Sequence, residues 1–395
     1  MFQKIGGKQM KSKFTSILMF FIILAIIGAA GIIGITIFKD IFGINILEPA
    51  SEQEAENFDG DAYYYNSEEE YASSNDRKTL EKLEIPEVKN IRSSNASNSN
   101  QTSVNYDNVN VNKYFYNQLN NYSQTIYKAI ESNKEQMKTG THQVDLGATF
   151  TSVLSRDDGQ EKLGDYFQSA IEAYFYDNPD VFYLSPSKMY LNIETTTRGS
   201  KKTYNVFINN GEAENYLIDE FNSKAQVDAA VDRVSRVRNN LISKKTSSVY
   251  DNIKMVHNYL IDNIEYDKEV NSRNTYDIYG ALVNGKCVCE GYAKAFKYIL
   301  DGMGIECTLV IGKATNSSGR SESHAWNYVK LDGNYYAVDC TWDDPIVIGG
   351  VATDSMRYKY FLKGYGEINK DHFPSGKFTE DGMEFSYPAV SYTDY

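Results

Sequence analysis

Length, composition and charge limit the classes of protein that this chain can represent. Its 395 residues are enough for one large or two modest hydrophobic cores. The formal net charge of −13 leaves no basic stripe that could follow a phosphate backbone, so a nucleic acid partner is not expected. The four cysteines all fall in the last third, which is unlike the dense disulfide framework of a small secreted domain.

An uncharged apolar run at 14–38 predicts a single transmembrane helix. At about 1.5 Å per residue, this run is long enough to cross a hydrocarbon layer of about 30 Å. Lysines are frequent at 1–13 and the residues after the run soon become acidic, so the N-terminus is expected in the cytoplasm and the remaining chain outside the cell. A cleaved signal peptide is the alternative, but its apolar part normally spans only about 7–15 residues. We therefore expect a single-pass protein of the cell membrane.

The segment 39–110 is predicted to be a flexible tether between the membrane and the folded part. It is acidic at first, then rich in serine and asparagine, and it has little apolar periodicity. A segment of this composition buries too little apolar surface to offset the conformational entropy that folding costs.

Residues 111–245 are predicted to form an N-terminal α+β region. From residue 112 onward, apolar side chains recur at helical spacing: Phe115, Leu119, Tyr122, Ile126 and Ile130. Further helices are expected at 168–176, 223–241 and 250–263, and strands at 181–184, 189–193 and 203–208. This region is expected either to position a substrate or to support the second half by packing.

Residues 246–395 are predicted to form the catalytic domain. A helix is expected from Cys289 to about Gly302, because apolar side chains follow Cys289 at helical spacing and glycines end the pattern. Strands are expected at 308–312, 325–331 and 335–340. Asp332 and Gly333 form a typical hairpin turn signal between the last two strands.

Three side chains in this domain have the types that a thiol enzyme needs. Cys289 is expected at a helix N-terminus, where the partial positive charge lowers a thiol pKa and backbone amides can bind an oxyanion. His324 is expected to begin a strand and Asp339 to end the paired strand, so that the carboxylate orients the imidazole. Each residue alone has a simpler structural interpretation, but the three together favour a catalytic triad. Cys287 is the weaker nucleophile candidate, because it precedes the helix.

Two aromatic residues are candidates for contacts with a substrate. Trp326 lies two residues after His324 and could form a wall of the cleft, although a large aromatic side chain in a strand is more often core. Tyr279 precedes the cysteine motif and is a candidate side-chain donor to an oxyanion. The remaining histidines are expected to be structural or solvated: His142, His257 and His372.

No metal ion or other cofactor is predicted. The cysteines and one histidine include enough ligands for a zinc site, namely Cys287, Cys289, Cys307, His324 and Cys340. Structural zinc sites normally pair their ligands through two to four intervening residues, and this spacing does not match. If Cys289 stays a free thiol, at most one disulfide remains, and elimination leads to a bond between Cys307 and Cys340 as a hypothesis.

Three short motifs resemble the transglutaminase-like superfamily. They are Val-Cys-Glu-Gly-Tyr-Ala-Lys-Ala-Phe at 288–296, His-Ala-Trp-Asn at 324–327 and Val-Asp-Cys-Thr-Trp-Asp-Asp-Pro at 338–345. The resemblance covers about 250–345, and the flanking sequence looks like that of membrane-anchored members from Gram-positive bacteria.

The resemblance implies a papain-like α+β fold, in which the nucleophile helix packs on an antiparallel sheet that carries the base and the orienting group. Carried over residue by residue, it implies that Cys289 is the nucleophile, His324 the base and Asp339 the orienting carboxylate. Two thiols, Cys287 and Cys340, are additional to this pattern.

The function implied by the resemblance is cleavage or transfer of amide bonds through a cysteinyl thioester. The superfamily includes transglutaminases, peptidases and amidases, and some members have lost activity. With the catalytic domain outside the cell, we expect a surface protein or a cell-wall peptide as substrate. A catalytically idle binding or scaffold module at the cell envelope is the alternative.

Overall fold

The computed structural model describes most of the chain from residue 104 onward, together with two short strands before it. The described residues are 63–65, 91–95, 104–270, 272–317, 319–344, 346–348, 352–379 and 382–395. The cytoplasmic segment predicted at 1–13 and the transmembrane helix predicted at 14–38 lie outside them. Among the helices that are described, none combines the length and apolar character needed to cross a membrane.

Five of the described α-helices are long enough to pack along the core, and three are single turns. Their bounds are Asn121–Met137 (α1), Thr151–Leu154 (α2), Gly159–Asp177 (α3), Lys224–Ile242 (α4), Val249–Asn263 (α5), Cys289–Gly302 (α6), Asp354–Arg357 (α7) and Tyr365–Ile368 (α8). The helices predicted at 168–176, 223–241 and 250–263 correspond to α3, α4 and α5. The helix predicted to begin at Cys289 is α6 and is confirmed.

The first helix starts later than the apolar spacing predicts. Asn120 has an extended backbone, and its side chain accepts hydrogen bonds from the amides of Tyr122 and Ser123, which makes it the N-cap of α1. Phe115 lies in the preceding segment, which forms a 3-10 turn at Tyr116–Gln118. The predicted apolar residues all belong to or pack against one core: Phe115, Leu119, Tyr122, Ile126 and Ile130. Their helical spacing therefore continues across the break between the 3-10 turn and α1.

The described strands form two four-stranded sheets and two short pairs. Their bounds are Tyr63–Tyr65 (β1), Ile91–Asn95 (β2), Val144–Gly147 (β3), Tyr190–Arg198 (β4), Lys201–Asn209 (β5), Glu265–Tyr266 (β6), Lys286–Cys287 (β7), Cys307–Thr315 (β8), Ser321–Leu331 (β9), Asn334–Val338 (β10), Ile346–Ile348 (β11) and His372–Pro374 (β12). The large sheets have the orders β2-β4-β5-β3 and β10-β9-β8-β12. Every pair in the second sheet is antiparallel. The described part is therefore a mixed α/β structure, and its second sheet carries the predicted base.

One predicted strand is wrong. Residues 181–184 follow a 3-10 turn at Pro179–Val181, and Leu184 forms an isolated bridge with Leu217 rather than a strand. The apolar side chains of this run are buried, so core packing explains their pattern without strand pairing.

Two short strands fall within the tether predicted at 39–110. Strand β1 pairs with β11, and β2 runs parallel to β4 from Ile91 opposite Leu191 to Asn95 opposite Thr195. Ile91 also packs against the main core. Residues 91–95 are therefore part of a sheet edge, because backbone pairing and one apolar contact hold a segment whose composition alone predicts no structure.

One large hydrophobic core extends across the boundary predicted between 111–245 and 246–395. It contains Phe115 and Phe167 from the first region, and Phe296 and Phe385 from the second. The two regions thus share a core, and the described residues from 63 onward form one compact unit.

The hairpin of β9 and β10 has the turn that the sequence predicts. Asp332 and Gly333 both have positive φ angles, 49° and 85°, as a two-residue type I′ turn requires. Leu331 lies opposite Asn334, so the register is fixed directly at the turn. This register brings the end of β10 beside the middle of β9, with Val338 opposite Asn327.

Candidate active site

Cys289 is the first residue of α6, as predicted. The N-cap position before it is occupied by Val288, whose side chain offers no acceptor to the amides of the first turn. The partial positive charge of the helix N-terminus therefore acts on the thiol without a side-chain cap to offset it. Cys289 is 4 % exposed, so water screens this effect little.

Cys287 has a different environment and is not suited to act as nucleophile. It lies in β7, is fully buried, and packs directly beneath Gly291, where an added Cβ would lie 2.8 Å from its sulfur. Burial raises the pKa of the Cys287 thiol well above its usual range, and nearby negative charges, first that of Cys289 and then Asp277, act in the same direction. Cys287 is therefore a protonated packing residue.

His324 and Asp339 are brought together as the hairpin prediction requires. The Nε2 atom of His324 lies 2.8 Å from Oδ2 of Asp339, and both side chains are almost completely buried. The other carboxylate oxygen of Asp339 accepts hydrogen bonds from the backbone amides of Thr341 and Trp342, at 2.9 and 3.3 Å. Since the carboxylate holds Nε2, the ring nitrogen that remains for a thiol is Nδ1.

Asp339 is held in its ionised form. Burial on its own would raise the pKa of this carboxyl, but the imidazoles of His324 and His372 outweigh it and hold the pKa well below its usual range. A permanently charged carboxylate stabilises an imidazolium at His324, as the proposed base requires.

His372 is a residue of the site that sequence reasoning missed. The chain places it in β12, where its Nε2 atom lies 3.1 Å from Oδ2 of Asp339, the same oxygen that contacts His324. Its Nδ1 atom lies 2.6 Å from Oδ1 of Asp371. The expectation that His372 is merely structural or solvated took no account of this contact, because β12 joins the sheet through long-range pairing with β8.

Two hydrogen bonds tie the first turns of α6 to the elements that carry His324 and Asp339. The side-chain amide of Asn327, in β9, donates to the backbone oxygen of Ala293 at 3.0 Å. The hydroxyl of Tyr292 donates to Oδ2 of Asp344, in the loop after Asp339, at 2.6 Å. These two bonds fix α6, which begins at Cys289, against strand β9 and against the loop that follows β10. That the thiol meets the imidazole of His324 stays a prediction.

The two candidate substrate-binding residues have different surroundings. Trp326 is fully buried and stacks behind His324, with ring centroids 6.0 Å apart. Tyr279 stacks on Phe182, and its hydroxyl accepts a hydrogen bond from Arg233 at 3.1 Å. The burial of Trp326 favours a packing role, and the substrate contacts of both residues stay predictions.

The disulfide hypothesis is wrong in this structure. Cys307 and Cys340 are buried and form no disulfide, and Cys287 and Cys289 are likewise buried without one. Burial raises the pKa of the Cys340 thiol well above its usual range, and the carboxylates of Asp343 and Asp339 act in the same direction. The disulfide was inferred only by elimination. Both cysteines are packed in the hydrophobic core, which explains their presence without a disulfide.

Within the part of the chain that the structure describes, one histidine and carboxylate cluster has the spacing that a metal ion would need. Ligand atoms of His324, Asp339 and His372 lie within 4.8 Å of one another. Both imidazole Nε2 atoms, however, direct their hydrogen bonds at Oδ2 of Asp339. The three side chains thus bind one another through these atoms.

A shallow depression opens to solvent beside His324. The space that it encloses is about 10 Å³, which is room for little more than one water molecule. The lining residues come from the β8–β9 hairpin and the loop after β10: Ala314, Asn316, Arg320, Glu322, Ser323, His324 and Trp342. His324 borders this depression, and its side chain is only 2% exposed.

A family model supports the motif resemblance. The model described as the transglutaminase-like superfamily matches residues 236–340, which include the cysteine, the histidine and the aspartate. Residues 236–340 are a transglutaminase-like domain. The domain runs from within α4 to the residue after Asp339, so β12 and His372 lie outside the match.

Two curated relatives match part of the chain. The kyphoscoliosis peptidases of Mus musculus and Homo sapiens are each 32% identical over 127 residues, which cover 29% of this chain and 19% of the relative. The chain thus spans about a fifth of the length of these relatives.

Solved structures give a weaker likeness. A structure described as a TGase is 18% identical, with a TM-score of 0.28, over 44% of this chain and 49% of its own. The periplasmic domain of TgpA from Pseudomonas aeruginosa is 16% identical, with a TM-score of 0.22, over 36% and 55%. At these scores the likeness carries no argument about function.

Proposed function

We propose that the chain is a thiol enzyme that cleaves or transfers amide bonds through a cysteinyl thioester. The observation that carries the proposal is the buried His324–Asp339 pair on the sheet against which α6, headed by Cys289, is fixed. In a transglutaminase-like domain these three side chains have the types of a nucleophile, a base and an orienting group.

The first half-reaction forms the thioester. Nδ1 of His324 takes the proton of the Cys289 thiol, which gives a thiolate and an imidazolium. The thiolate attacks the amide carbonyl carbon, and the electron pair of the C=O bond moves to the oxygen. The backbone amide of Cys289, at the helix N-terminus, is one donor to this oxyanion. The tetrahedral intermediate then expels the amine, which takes its proton from the imidazolium of His324 through Nδ1. Asp339 holds Nε2 throughout and stabilises the imidazolium before it gives up the proton.

The second half-reaction releases the acyl group. His324 removes a proton from an incoming water or amine, which attacks the thioester carbonyl, and the Cys289 thiolate leaves. Water makes the protein a peptidase or amidase, and an amine makes it a transglutaminase-like acyl transferase. The leaving amine and the acceptor must both lie beside His324, so we propose that they approach from the side of the depression lined by Arg320, Glu322 and Ser323.

The proposed location of this activity is the outer face of the cell membrane. The apolar run at 14–38, with lysines before it, motivates a single-pass anchor with the catalytic domain outside the cell. An anchor restricts the enzyme to targets near the membrane, and surface proteins and cell-wall peptides are the proposed substrates. Protease accessibility of the domain in intact cells tests the orientation, and protection of the domain would contradict it.

One experiment tests the chemistry and the direction of acyl transfer together. The purified protein is incubated with wall peptides or a protein substrate and a labelled amine, and both hydrolysis and amine incorporation are followed. Cys289→Ala is expected to abolish turnover, whereas Cys287→Ala, two residues away but buried and protonated, is expected to retain it. Turnover that survives Cys289→Ala would refute the proposal.

The second candidate function is an idle binding or scaffold module. The observation in its favour is the near-complete burial of Cys289, at 4 % exposure, which limits access of a substrate to the thiol. Alkylation with dilute iodoacetamide separates the two candidates. Rapid labelling of Cys289 relative to the other three thiols supports the enzyme, and uniformly slow labelling supports the scaffold.

A further inference from the structure

His372 contacts the proposed orienting carboxylate from an element outside the matched domain. It lies in β12, which pairs with β8 so that His372 is opposite Ala314. Its imidazole is fully buried. We propose that His372 is a positioning residue, which anchors Oδ2 of Asp339 so that this carboxylate presents a fixed acceptor to His324. The inference rests on the proposed function, because it assigns a role within that same site.

The argument starts from the hydrogen bonds of the Asp339 carboxylate. Oδ1 is held by two backbone amides, those of Thr341 and Trp342. Without His372, Oδ2 would be held only by His324, the ring that it has to orient. The second contact, at 3.1 Å from Nε2 of His372, anchors this oxygen independently of His324. Both oxygens are thus fixed before the base is engaged, which is what preorganisation of a catalytic imidazole requires.

The anchor is itself held in place. Nδ1 of His372 faces Asp371 at 2.6 Å, and the hydroxyl of Tyr360 donates to the other oxygen of Asp371 at 2.8 Å. The rings of Trp342 and Trp326 lie edge-on to the imidazole, with centroids 4.7 and 5.0 Å away. A ring packed and hydrogen-bonded on every side has little freedom to rotate, so its Nε2 atom has a defined position.

The charges around His372 favour a donor at both ring nitrogens. Burial lowers the pKa of this imidazole, but the hydrogen bonds and charges of Asp339 and Asp371 outweigh it and raise the pKa. The groups that face the ring are Asp339 and Asp371, with His324 beyond Asp339 and Tyr360 beyond Asp371. An imidazole that donates to Asp339 through Nε2 is the form that anchors Oδ2.

A second buried histidine–carboxylate pair lies outside the proposed catalytic group and serves for comparison. Nε2 of His257, in α5, lies 3.0 Å from Oδ2 of Asp343, and both side chains are inaccessible to solvent. Oδ1 of Asp343 accepts the backbone amide of Tyr360 at 2.7 Å. This carboxylate orients no second imidazole. His257→Gln is therefore a matched control that removes a comparable buried contact outside the proposed catalytic group.

The test uses the purified full-length chain, three substitutions of His372 and the control His257→Gln. His372→Gln keeps an amide donor near the position of Nε2, His372→Asn keeps one near Nδ1 only, and His372→Leu keeps neither. We measure kcat and KM across pH, the pH dependence of Cys289 alkylation by iodoacetamide, and the melting temperature. The alkylation rate reports the thiolate fraction of Cys289 and needs no substrate.

If His372 positions Asp339, activity should depend on whether the new side chain keeps a hydrogen-bond donor near the position of Nε2. His372→Leu and His372→Asn should lower kcat by about 10- to 100-fold with little change in KM, and should shift the pH profile of Cys289 alkylation. His372→Gln should keep most of the original kcat and an alkylation profile close to that of the unsubstituted protein. An unshifted alkylation profile in His372→Leu, or equal losses in His372→Gln and His372→Leu, overturns the inference. The proposed function fails separately, if Cys289→Ala retains turnover, and the alkylation result still decides the role of His372.

Discussion

Replacing Asp339 by asparagine tests whether its carboxylate fixes the tautomer of His324. The carboxylate accepts from two backbone amides through Oδ1 and from His324 and His372 through Oδ2. An asparagine keeps one oxygen, which the backbone amides of Thr341 and Trp342 would retain. Its amide nitrogen would then face the two imidazoles as a donor. His324 must move its proton to Nδ1 to accept this hydrogen bond, and Nδ1 can then no longer act as the base.

The size of the effect follows from this tautomer change. Loss of the productive tautomer in a triad costs about 10³- to 10⁴-fold in kcat, or roughly 4 to 5.5 kcal/mol at about 1.4 kcal/mol per tenfold. The loss should appear in kcat, with KM nearly unchanged, because Asp339 is buried behind the imidazole. Folding stability should also fall, by about 1–3 kcal/mol for the unsatisfied donors.

Asp343→Asn is the matched control for this substitution. Asp343 lies four residues after Asp339, is equally buried, and also pairs with an imidazole, that of His257. Both substitutions should lower the melting temperature, whereas only Asp339→Asn should lower turnover per folded molecule and slow alkylation of Cys289 at neutral pH. A loss in kcat below about tenfold for Asp339→Asn, or an equal loss for Asp343→Asn, would refute the reasoning.

The remaining predictions concern packing and pH. Cys287→Ser should lower the free energy of unfolding by about 1–3 kcal/mol, because it buries a hydroxyl group. Turnover per folded molecule should not change, and a loss of turnover would show that Cys287 has a chemical role. Gly291→Ala should lower the melting temperature, at a cost of about 1–3 kcal/mol, because its Cβ would lie 2.5 Å from Cβ of Cys287; an unchanged value contradicts this packing. Asn327→Ala should lower the free energy of unfolding by about 0.5–1.5 kcal/mol, because it removes the hydrogen bond between β9 and α6. It should also lower kcat, and an unaltered kcat would show that this hydrogen bond does not position Cys289. Burial raises the pKa of Asp344 to about 7, although the Tyr292 hydrogen bond opposes this shift. The folded protein therefore binds a proton at Asp344 more tightly than the unfolded chain does. The stability gained from this proton is complete below about pH 4 and is lost as pH rises through 7. Asp344→Asn should therefore flatten the fall in melting temperature over this window, and an identical pH profile would exclude the effect.

Local patterns predicted the helix and the hairpin that carry the proposed triad. The apolar spacing after Cys289 and the glycines that follow it correspond to α6, and the turn at Asp332 and Gly333 sets the register of β9 and β10. That register depends on a two-residue turn, so the approach of His324 to Asp339 is nearly a local event. Such features can be inferred from a single sequence because their causes lie within a few residues.

Features with distant causes were missed or mistaken. The run at 181–184 has the apolar content of a strand, but the turn that begins at Pro179 carries it into the core as irregular chain. Residues 91–95 have the composition of a tether, yet they pair with β4, about a hundred residues later in the sequence. In both cases the deciding contact is made by a segment that the local pattern does not contain.

By itself, the sequence determined which chemistry is available: a thiol at a helix N-terminus, an imidazole in a strand and a carboxylate at the end of its neighbour. Tertiary structure alone decided that Cys287 is a buried, protonated packing residue and that His372 shares the carboxylate of Asp339. The physical reason is that pKa values and hydrogen-bond partners depend on burial and on side chains brought in from remote strands. Neither burial nor those long-range neighbours can be read from the residues that flank a position in the chain.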